Sequence, residues 1–376
     1  ILIGLVGSEM CIRDRYHCYE DSFIYRFSWA WGAQRQLVGL SGLLQKRGHE
    51  LKVCTYHQID FYKHYLDENN IPNEIIPGVA FSITRIWKVF QYFKKENPDW
   101  VIAYLESPSL VACTAKVLGC DYRLMVSERN TTQKIAMNER VRFFLYRWAD
   151  AIVPNSYTQG DFLLSHYPWM RSKLTTISNF VDLERFEFSP RHRRTQPLIL
   201  VVASIWSPKN TLGLIHAVKI LKDRRVSFRI EWYGIVDAYN DYLLQSQKLI
   251  KDLDLEDYIN LSPKSKQIQE KYKECDYFCL PSFYEGTPNV ICEAMSCGRP
   301  VICSEVCDNL VYVAEGENGF LFDPKIPVSI ADTIQRALQI SDEKYLLYCS
   351  KSREKAERLL SEKVFIGKYI RIIEGR

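Results

Sequence analysis

The sequence predicts an α/β protein built from two Rossmann-like domains that face each other across a cleft. Its 376 residues exceed the size that one hydrophobic core usually serves, so we expect two domains. Runs typical of buried strands alternate with helical patterns in both halves, as in doubly wound sheets. A hydrophobic content of 47% and a charged content of 25% are ordinary for a globular protein.

Charge and cysteine content narrow the function classes. A formal net charge of +4 is too small to indicate nucleic-acid binding, and we predict no nucleic-acid partner. The twelve cysteines form no Cys-x-x-Cys pair, and several fall in apolar patterns, namely Cys54, Cys279, Cys292 and Cys303. We therefore predict a reducing, cytoplasmic setting. No apolar run approaches the ~20 residues of a membrane-spanning helix.

The first fifteen residues stand apart from the rest. Residues 1–6 have the pattern of a first strand or a signal core, whereas 7–15 look like translated sequencing-adapter read-through. We exclude 1–15 from the fold, so the first strand of the N-terminal domain is expected to be missing or imitated by foreign sequence. The predicted divisions are a leader at 1–15, a first domain at 16–188, a second domain at 195–360 and a returning C-terminal helix at 361–376.

The first domain alternates helices and strands in order. A helix near 33–44 has apolar residues spaced four, three and four apart, at Ala33, Leu37, Leu40 and Leu44. A second amphipathic helix over 83–93 ends at Asn97-Pro98, and a third is expected at 110–117. Apolar runs predict strands at 51–55, 100–104, 123–126 and 151–154, and Asn155-Ser156 caps the helix that follows.

Residues 138–149 allow two interpretations. They combine three arginines with Phe143, Phe144, Leu145 and Trp148. A basic, aromatic helix can lie on an anionic membrane surface. The favoured interpretation is an ordinary core helix whose arginines are solvated on the opposite face.

The second domain follows a polar, basic segment at 189–194 that fits an interdomain linker. It opens with a strand over 198–203, the segment 204–210, and a helix carrying Leu212, Ile215, Ala217 and Ile220. A strand over 229–233 ends at Gly234. Closing helices are predicted over 330–338 and 363–373.

Residues 277–304 predict a strand, a loop, a helix and a second strand. The apolar run 277–280 is followed by a loop with Glu285 and Gly286, and Thr287-Pro288 opens the helix. Gly298 is placed to end the helix, and 301–303 form the next strand. A helix N-terminus at the carboxyl end of a sheet suits an anion, because unpaired N–H groups and the helix dipole converge there.

Glu285 and Glu293 lie eight residues apart in this stretch, and the whole string resembles the Glu-x7-Glu signature of a known family. The resemblance runs through Glu-Gly-x-Pro-Asn, Glu-Ala-Met-x-Cys-Gly-x-Pro-Val and Asn-Gly-Phe-Leu-Phe at 318–322. The family is family 4 of the retaining, nucleotide-sugar-dependent glycosyltransferases ("glycosyl transferases group 1"), which have the two-domain GT-B fold.

The resemblance implies sugar transfer from a nucleotide-diphosphate sugar to an acceptor, with retention of anomeric configuration. It implies that Lys209 and Glu285 are catalytic and that the donor is bound by Gly32, Ser204, Lys209, Glu285, Gly286, Thr287, Pro288, Asn289 and Glu293. In this interpretation Lys209 and helix amides stabilise the leaving diphosphate, Glu293 accepts from ribose hydroxyls, and Glu285 holds the transferred sugar. No residue is assigned as a nucleophile. No metal is predicted, because protein cations and amides can do the electrostatic work of a metal ion. No cofactor is predicted, because the nucleotide sugar is a substrate.

The chain departs from the family pattern at two loops. Trp31 stands where the first glycine of a Gly-Gly-Ala loop is usual, and Ser204 stands where an arginine usually neutralises donor phosphate. In relatives a residue just past the 123–126 strand, often His, faces the donor sugar. Glu128 or Arg129 is a candidate for that role, but a surface loop is the favoured interpretation. Asp252-Leu253-Asp254 is interpreted as surface rather than as a metal motif.

Alternative functions stay open at this point. The family implies a glycan or lipid-linked acceptor, with peripheral contact at the inner membrane surface as a further option. A GT-B epimerase or phosphorylase, or a non-catalytic nucleotide-sugar-binding protein, would share the pattern. A nicotinamide oxidoreductase shares the strand–helix alternation but needs a glycine fingerprint that the sequence lacks.

Overall fold

The computed structural model divides the chain into two compact units. Unit 1 contains Ile1–Ile177 and Ile366–Arg376, and unit 2 contains Ser178–Phe365. The structure describes residues 1–3, 32–56, 63–76, 83–130, 132, 134–235 and 240–375. Both units have a parallel sheet with helices, so the predicted α/β class is confirmed.

The sheet of unit 1 has the strand order β3-β2-β1-β4-β5-β6 in the part of the chain that is described. Its strands are β1 (Leu2–Ile3), β2 (Lys52–Thr55), β3 (Asn73–Ile75), β4 (Trp100–Tyr104), β5 (Arg123–Glu128) and β6 (Ala151–Pro154). The strands β4, β5 and β6 pair in parallel and are almost wholly buried, which explains their unbroken apolar runs.

The helices of unit 1 follow the strands in alternation. They are α1 (Gly32–Gln45), α2 (Lys63–Glu68), α3 (Ile83–Glu96), α4 (Glu106–Val117), α5 (Met137–Leu145) and α6 (Tyr157–His166). The cap predicted at Ser156 is present, since its hydroxyl accepts from the Gln159 amide at 3.2 Å. Helix α4 begins four residues earlier than the predicted 110, directly after Leu105, whose φ is 72°.

Residues 2–3 belong to the sheet although the sequence analysis excluded them. β1 pairs in parallel with β2 on one side and β4 on the other. This pairing puts a two-residue strand at the position where the first strand of a Rossmann-like domain belongs. Residues 4–31 lie outside the described residues. This range includes the rest of the predicted leader and Trp31.

The favoured interpretation of residues 138–149 is confirmed for Phe143, which is buried, and for Arg140 and Arg147, which are exposed, but it is wrong for three other side chains. Arg142 is buried with Phe143 and Tyr146, whereas Phe144 and Trp148 are exposed. Arg142 contacts Glu106 at 2.9 Å and Glu128 at 3.4 Å, so an ion pair pulls this arginine into the core. That contact turns part of the aromatic content of the helix towards solvent.

The sheet of unit 2 has the order β12-β11-β10-β7-β8-β9 among its described residues. Its strands are β7 (Leu198–Val202), β8 (Arg229–Ile235), β9 (Ile259–Pro263), β10 (Tyr277–Leu280), β11 (Val301–Ser304) and β12 (Gly319–Phe322). β8 continues through Gly234 with a register irregularity, so the predicted end at that residue is wrong. Gly234 is required because a Cβ there would lie 1.8 Å from the Ala203 carbonyl oxygen.

The helices of unit 2 are α7 (Thr211–Asp223), α8 (Asp241–Asp252), α9 (Ile268–Glu274), α10 (Asn289–Ser296), α11 (Asn309–Tyr312), α12 (Pro327–Gln339), α13 (Asp342–Leu360) and α14 (Glu362–Glu374). α10 begins after Pro288 rather than at Thr287, because the ψ of Pro288 is 79°, outside the helical region. Its end is as predicted: the Gly298 and Arg299 amides donate to the Met295 and Ala294 carbonyls.

The division between the units falls before Ser178, whereas the sequence placed the end of the first domain at 188. Val181 and Phe186 are buried in a hydrophobic cluster of unit 2, which explains the earlier division. The basic segment 189–194 also packs on unit 2 rather than forming a free linker. Arg193 donates to the Leu338 carbonyl, and Arg194 donates to the Glu274 carbonyl.

The end of α14 groups with unit 1. The Tyr369 hydroxyl lies 3.2 Å from the Tyr104 hydroxyl and accepts from the Arg129 guanidinium at 2.7 Å. Arg123 donates to the Ile373 carbonyl at 3.4 Å. These bonds link the C-terminal helix to β4 and β5 of unit 1.

Gly298 allows a test of this fold. We expect Gly298→Ala to lower the free energy of unfolding by at least about 1–2 kcal/mol, because its φ is 74°. The added Cβ would also lie 2.4 Å from the Phe188 ring. Gly367→Ala in α14 is the control, since its Cβ meets nothing within 4 Å and alanine favours a helix. Urea unfolding measures both, and equal stabilities would contradict the prediction.

Candidate functional site

The candidate site forms where β7 and β10 end, side by side in the sheet of unit 2. The strand order proceeds outward from β7 through β8 and β9, and outward from β10 through β11 and β12. The loops after β7 and β10 therefore diverge at a topological switch point, where open α/β sheets bind ligands. The loop after β7 carries Ser204 and Lys209, and the loop after β10 carries Glu285 and Gly286.

Lys209 and Glu285 form an ion pair between these loops. The Lys209 Nζ lies 2.6 Å from the Glu285 Oε1, and the two side chains are 27% and 11% exposed. The Ser282 hydroxyl donates to the same carboxylate oxygen at 2.5 Å. Because the pair is partly shielded from water, its attraction is stronger than that of a surface pair. Glu285 is thus held in one orientation by two donors.

The backbone also joins the two loops. The Phe283 amide donates to the Pro208 carbonyl at 2.9 Å, one residue before Lys209. The loop after β7 is braced from its other side by β8, since the Trp232 indole donates to the Ala203 carbonyl at 2.7 Å. Ser204 follows directly and is half-buried. One side-chain bond and one backbone bond therefore hold the loop after β7, at Ala203 and at Pro208.

Asn210 shapes the turn between Lys209 and α7. Its φ of 57° and ψ of 40° are left-handed, a conformation that asparagine tolerates better than most residues. Its side-chain amide donates to the Pro324 carbonyl at 2.7 Å. Lys209 itself ends a short 3₁₀ turn, Ser207–Lys209, rather than starting the α-helix.

Glu293 lies on α10 and is only 6% exposed. Its Oε2 accepts from the Tyr272 hydroxyl at 3.1 Å, a contact between α9 and α10. Burial raises the pKa of Tyr272 well above its ordinary value, and the Glu293 carboxylate raises it further. The hydroxyl therefore remains a donor, and it fixes the direction of the carboxylate.

Asn289 begins α10 and is held from the start of unit 2. The Asn179 side-chain amide donates to the Asn289 Oδ1 at 2.8 Å. Gly286, Thr287 and Pro288 connect Glu285 to this helix. The predicted donor-binding residues 285–289 therefore form one continuous segment that leads into α10. Gly32 begins α1 in unit 1 and belongs to a separate part of the fold.

The surface-loop interpretation of Glu128 is wrong. Glu128 is the last residue of β5, is 1% exposed and accepts from the Tyr146 hydroxyl. Burial raises the pKa of this carboxyl, although Arg142 beside it acts in the opposite direction. Arg129 is half-buried, with its guanidinium 4.4 Å from the centre of the Tyr104 ring.

The described residues contain no group of three or more His, Cys, Asp or Glu side chains that could hold a metal ion. Asp252 and Asp254 are both exposed, which confirms the interpretation of that motif as surface. The cysteines at 54, 279, 292 and 303 are buried and free, as their apolar patterns predict. Across the same described part of the chain, no helix has the length and apolarity to span a bilayer.

Two family models match the chain in succession. "Glycosyltransferase Family 4" matches residues 31–185, and "Glycosyl transferases group 1" matches residues 182–356. The chain is a GT-B glycosyltransferase of family 4. Lys209, Glu285 and Glu293 all lie within the second matched region.

Curated relatives agree with this assignment. The chain is 28% identical over 271 residues to an N-acetylgalactosamine-N,N'-diacetylbacillosaminyl-diphospho-undecaprenol 4-alpha-N-acetylgalactosaminyltransferase of Campylobacter jejuni, covering 69% of this chain and 70% of the relative. It is 22% identical over 353 residues to an uncharacterized glycosyltransferase of Haemophilus influenzae, covering 91% and 96%.

Solved structures agree on the fold. A glycosyltransferase from Rickettsia africae has a TM-score of 0.84 at 16% identity, covering all of this chain and 97% of that one. Anabaena HepE in complex with UDP has a TM-score of 0.81 at 18% identity, covering 93% and 98%. The GT-B fold of this glycosyltransferase is therefore the predicted one.

Three supporting residues of the site escaped the sequence analysis. Tyr272, Ser282 and Asn179 each hold a predicted site residue in place through a side-chain hydrogen bond. Ser282 lies only three residues before Glu285, so this short spacing could have indicated a contact between their side chains. Tyr272 and Asn179 are distant in sequence, so only the folded chain brings them into contact.

Asn210 gives a test of how this loop is built. Asn210→Gly keeps the left-handed turn and loses one hydrogen bond, so we expect a loss of about 1 kcal/mol in unfolding free energy. Asn210→Ala loses the bond and also strains the backbone, which adds about 1–2 kcal/mol. Chemical denaturation of the two variants measures the difference. Similar losses in both would show that the turn is not under conformational constraint.

Proposed function

We propose that this glycosyltransferase moves a sugar from a nucleoside-diphosphate donor to a lipid-linked or glycan acceptor, with retention of configuration and without a metal ion. The observation that carries the proposal is the Lys209–Glu285 pair at the switch point of the unit 2 sheet. The donor class is supported by the HepE structure with UDP. The acceptor class is supported by the Campylobacter jejuni relative, whose name specifies a diphospho-undecaprenol carrier.

The donor diphosphate fits between Lys209 and the start of α10. When the bond from the anomeric carbon to the phosphate oxygen breaks, the departing diphosphate takes the electron pair and gains negative charge. An ammonium group and helix N–H groups fixed in position stabilise that charge more in the transition state than in the bound donor. The Lys209 ammonium has three donor directions, and the contact with Glu285 uses one of them.

Ser204 changes the electrostatics of this step. The family pattern places an arginine there, so the loop after β7 brings one cation fewer to the diphosphate. Lys209 consequently supplies a larger share of the neutralising charge. For the same reason, the fixed position of Lys209 matters more. The ion pair with Glu285 holds its side chain, and the hydrogen bond from the Phe283 amide to the Pro208 carbonyl holds the adjacent backbone.

The two glutamates have different roles in this proposal. Glu293, oriented by Tyr272, accepts hydrogen bonds from the ribose hydroxyls of the nucleotide. Glu285, oriented by Ser282 and Lys209, accepts from hydroxyls of the sugar that is transferred. Neither acts as a nucleophile. The acceptor hydroxyl oxygen then bonds to the anomeric carbon on the face that the leaving group vacates, and its proton passes to the departing phosphate oxygen.

Lys209→Ala tests the electrostatic role. We expect kcat to fall about 100- to 1,000-fold, as is typical when a preorganised charge donor is removed, with a smaller change in donor affinity. Lys219→Ala is the matched control, because Lys219 forms an exposed pair with Asp223 on α7. Steady-state kinetics with donor and acceptor measure both. An unchanged kcat in Lys209→Ala would remove the basis of the mechanism.

Glu293→Gln tests nucleotide binding separately from turnover. We expect the Kd for the nucleoside diphosphate to rise about tenfold, because charge-assisted hydrogen bonds to the ribose weaken. Tyr272→Phe should produce a smaller rise through loss of orientation. Tyr277→Phe is its control, since that buried hydroxyl donates to the Ala337 carbonyl on α12. Calorimetry measures the Kd of each of the three variants for UDP, GDP and ADP. Kd values that equal those of the wild type in every variant would refute the assignment.

Stereochemistry and metal dependence are tested on the reaction itself. We expect NMR of the product to show the anomeric configuration of the donor, and we expect turnover to be unaffected by EDTA. An inverted product or loss of activity with EDTA would overturn that part of the proposal. Incubation with donor alone separates transfer from the alternatives, because an epimerase or phosphorylase would release an epimer or a sugar phosphate. A non-catalytic binder would bind nucleotide without turnover.

A further inference from the structure

One face of α5 carries large apolar side chains that the fold leaves exposed. Met137, Val141, Phe144 and Trp148 are 72%, 48%, 55% and 39% exposed. They are spaced four, three and four residues apart along α5 and the 3₁₀ turn Tyr146–Trp148 that continues it. This spacing places them on one face. We call these four residues the exposed apolar stripe.

The rotation of the helix is fixed from its other side. Phe143 and Tyr146 are fully buried, and they contact each other edge-to-face at 5.7 Å. Arg142 is bound to Glu106 and Glu128 inside the unit. The stripe therefore cannot turn inward without withdrawing these groups from the core, so its exposure is a stable property of unit 1.

Cations flank the stripe on the same helix. Arg140 and Arg147 are exposed, and the Arg147 guanidinium lies 5.6 Å from the Phe144 ring centre and 5.2 Å from that of Trp169. The one acidic residue of α5, Glu139, is turned to the helix start, where it accepts from the Ala136 amide at 2.9 Å. The exposed face of α5 thus combines apolar surface with positive charge.

We propose that the exposed apolar stripe docks unit 1 on an anionic lipid bilayer. Phe144, Trp148 and their neighbours enter the boundary between headgroups and acyl chains, while Arg140 and Arg147 contact lipid phosphates. The charge pattern favours a lipid surface, because large apolar side chains flanked by arginines are the composition of interfacial helices. The inference builds on the proposed function, because it names the surface that brings the enzyme to a lipid-linked acceptor. The observations that support it do not depend on activity.

Vesicle co-sedimentation of the full chain tests this without any substrate. We expect the protein to bind vesicles of phosphatidylcholine with phosphatidylglycerol, and to bind phosphatidylcholine alone much less. The double variant Phe144→Gln/Trp148→Gln should weaken binding about tenfold or more, since it removes two interfacial aromatic side chains. Arg140→Gln/Arg147→Gln should remove most of the preference for anionic lipid and its salt sensitivity.

Trp87→Gln is the matched control. Trp87 is 54% exposed on α3 of the same unit, so the substitution removes an exposed tryptophan away from the stripe. We expect it to bind vesicles as the wild type does. We expect every variant to remain folded, because all the changed side chains are exposed. Circular dichroism of each variant checks this.

Three results would overturn the proposal. The first is binding by Phe144→Gln/Trp148→Gln that equals the wild type, and the second is a wild type that does not bind anionic vesicles. A wild type that forms dimers in sedimentation, with the double variant monomeric and neither bound to lipid, would assign the stripe to a second copy and also overturn it. Failure of the proposed transfer reaction would leave the vesicle result unchanged, so the two failures are distinguishable.

Discussion

The parallel pairing of β7 with β10 is the constraint on which the site depends. Asp276 secures it at the amino end of β10, where its buried carboxylate accepts from the Leu198 amide at 2.7 Å. Its own amide donates to the Leu198 carbonyl at 2.8 Å. A shift of one residue would turn alternate side chains to the other face. The fixed register therefore determines which loop residues meet at the opposite end, and Lys209 meets Glu285 there.

The contacts at that end suit a site that binds an anion and a polyol together. Lys209 and Glu285 neutralise each other, so neither charge is isolated in a partly buried position. The same pairing orients both groups before a ligand arrives. Preorganisation of this kind lowers the cost of aligning charge during the reaction. Ser282, Asn179 and Tyr272 each hold one of the residues that we propose bind the donor.

The sequence was most informative where one local signal decided the structure. The bounds of β4, β6 and β10 agree with the apolar runs that predicted them, and Gly298 ends α10 as its position requires. β9 was missed because it is only partly buried along its length and gives no continuous apolar run. The Glu-x7-Glu spacing indicated the candidate site, but the Tyr272–Glu293 bond joins two helices whose contact no local pattern encodes.

Helix α5 shows how a single buried ion pair can decide what composition leaves open. Its sequence carries aromatic residues on two faces, so hydrophobic periodicity alone permits either face to be the inner one. Burying Arg142 requires an anionic partner, since an unpaired charge in the core costs far more than an exposed phenylalanine. Glu128 at the end of β5 supplies that partner. Because of this ion pair, Phe143 and Tyr146 pack in the core, whereas Phe144 and Trp148 are exposed on the surface of unit 1.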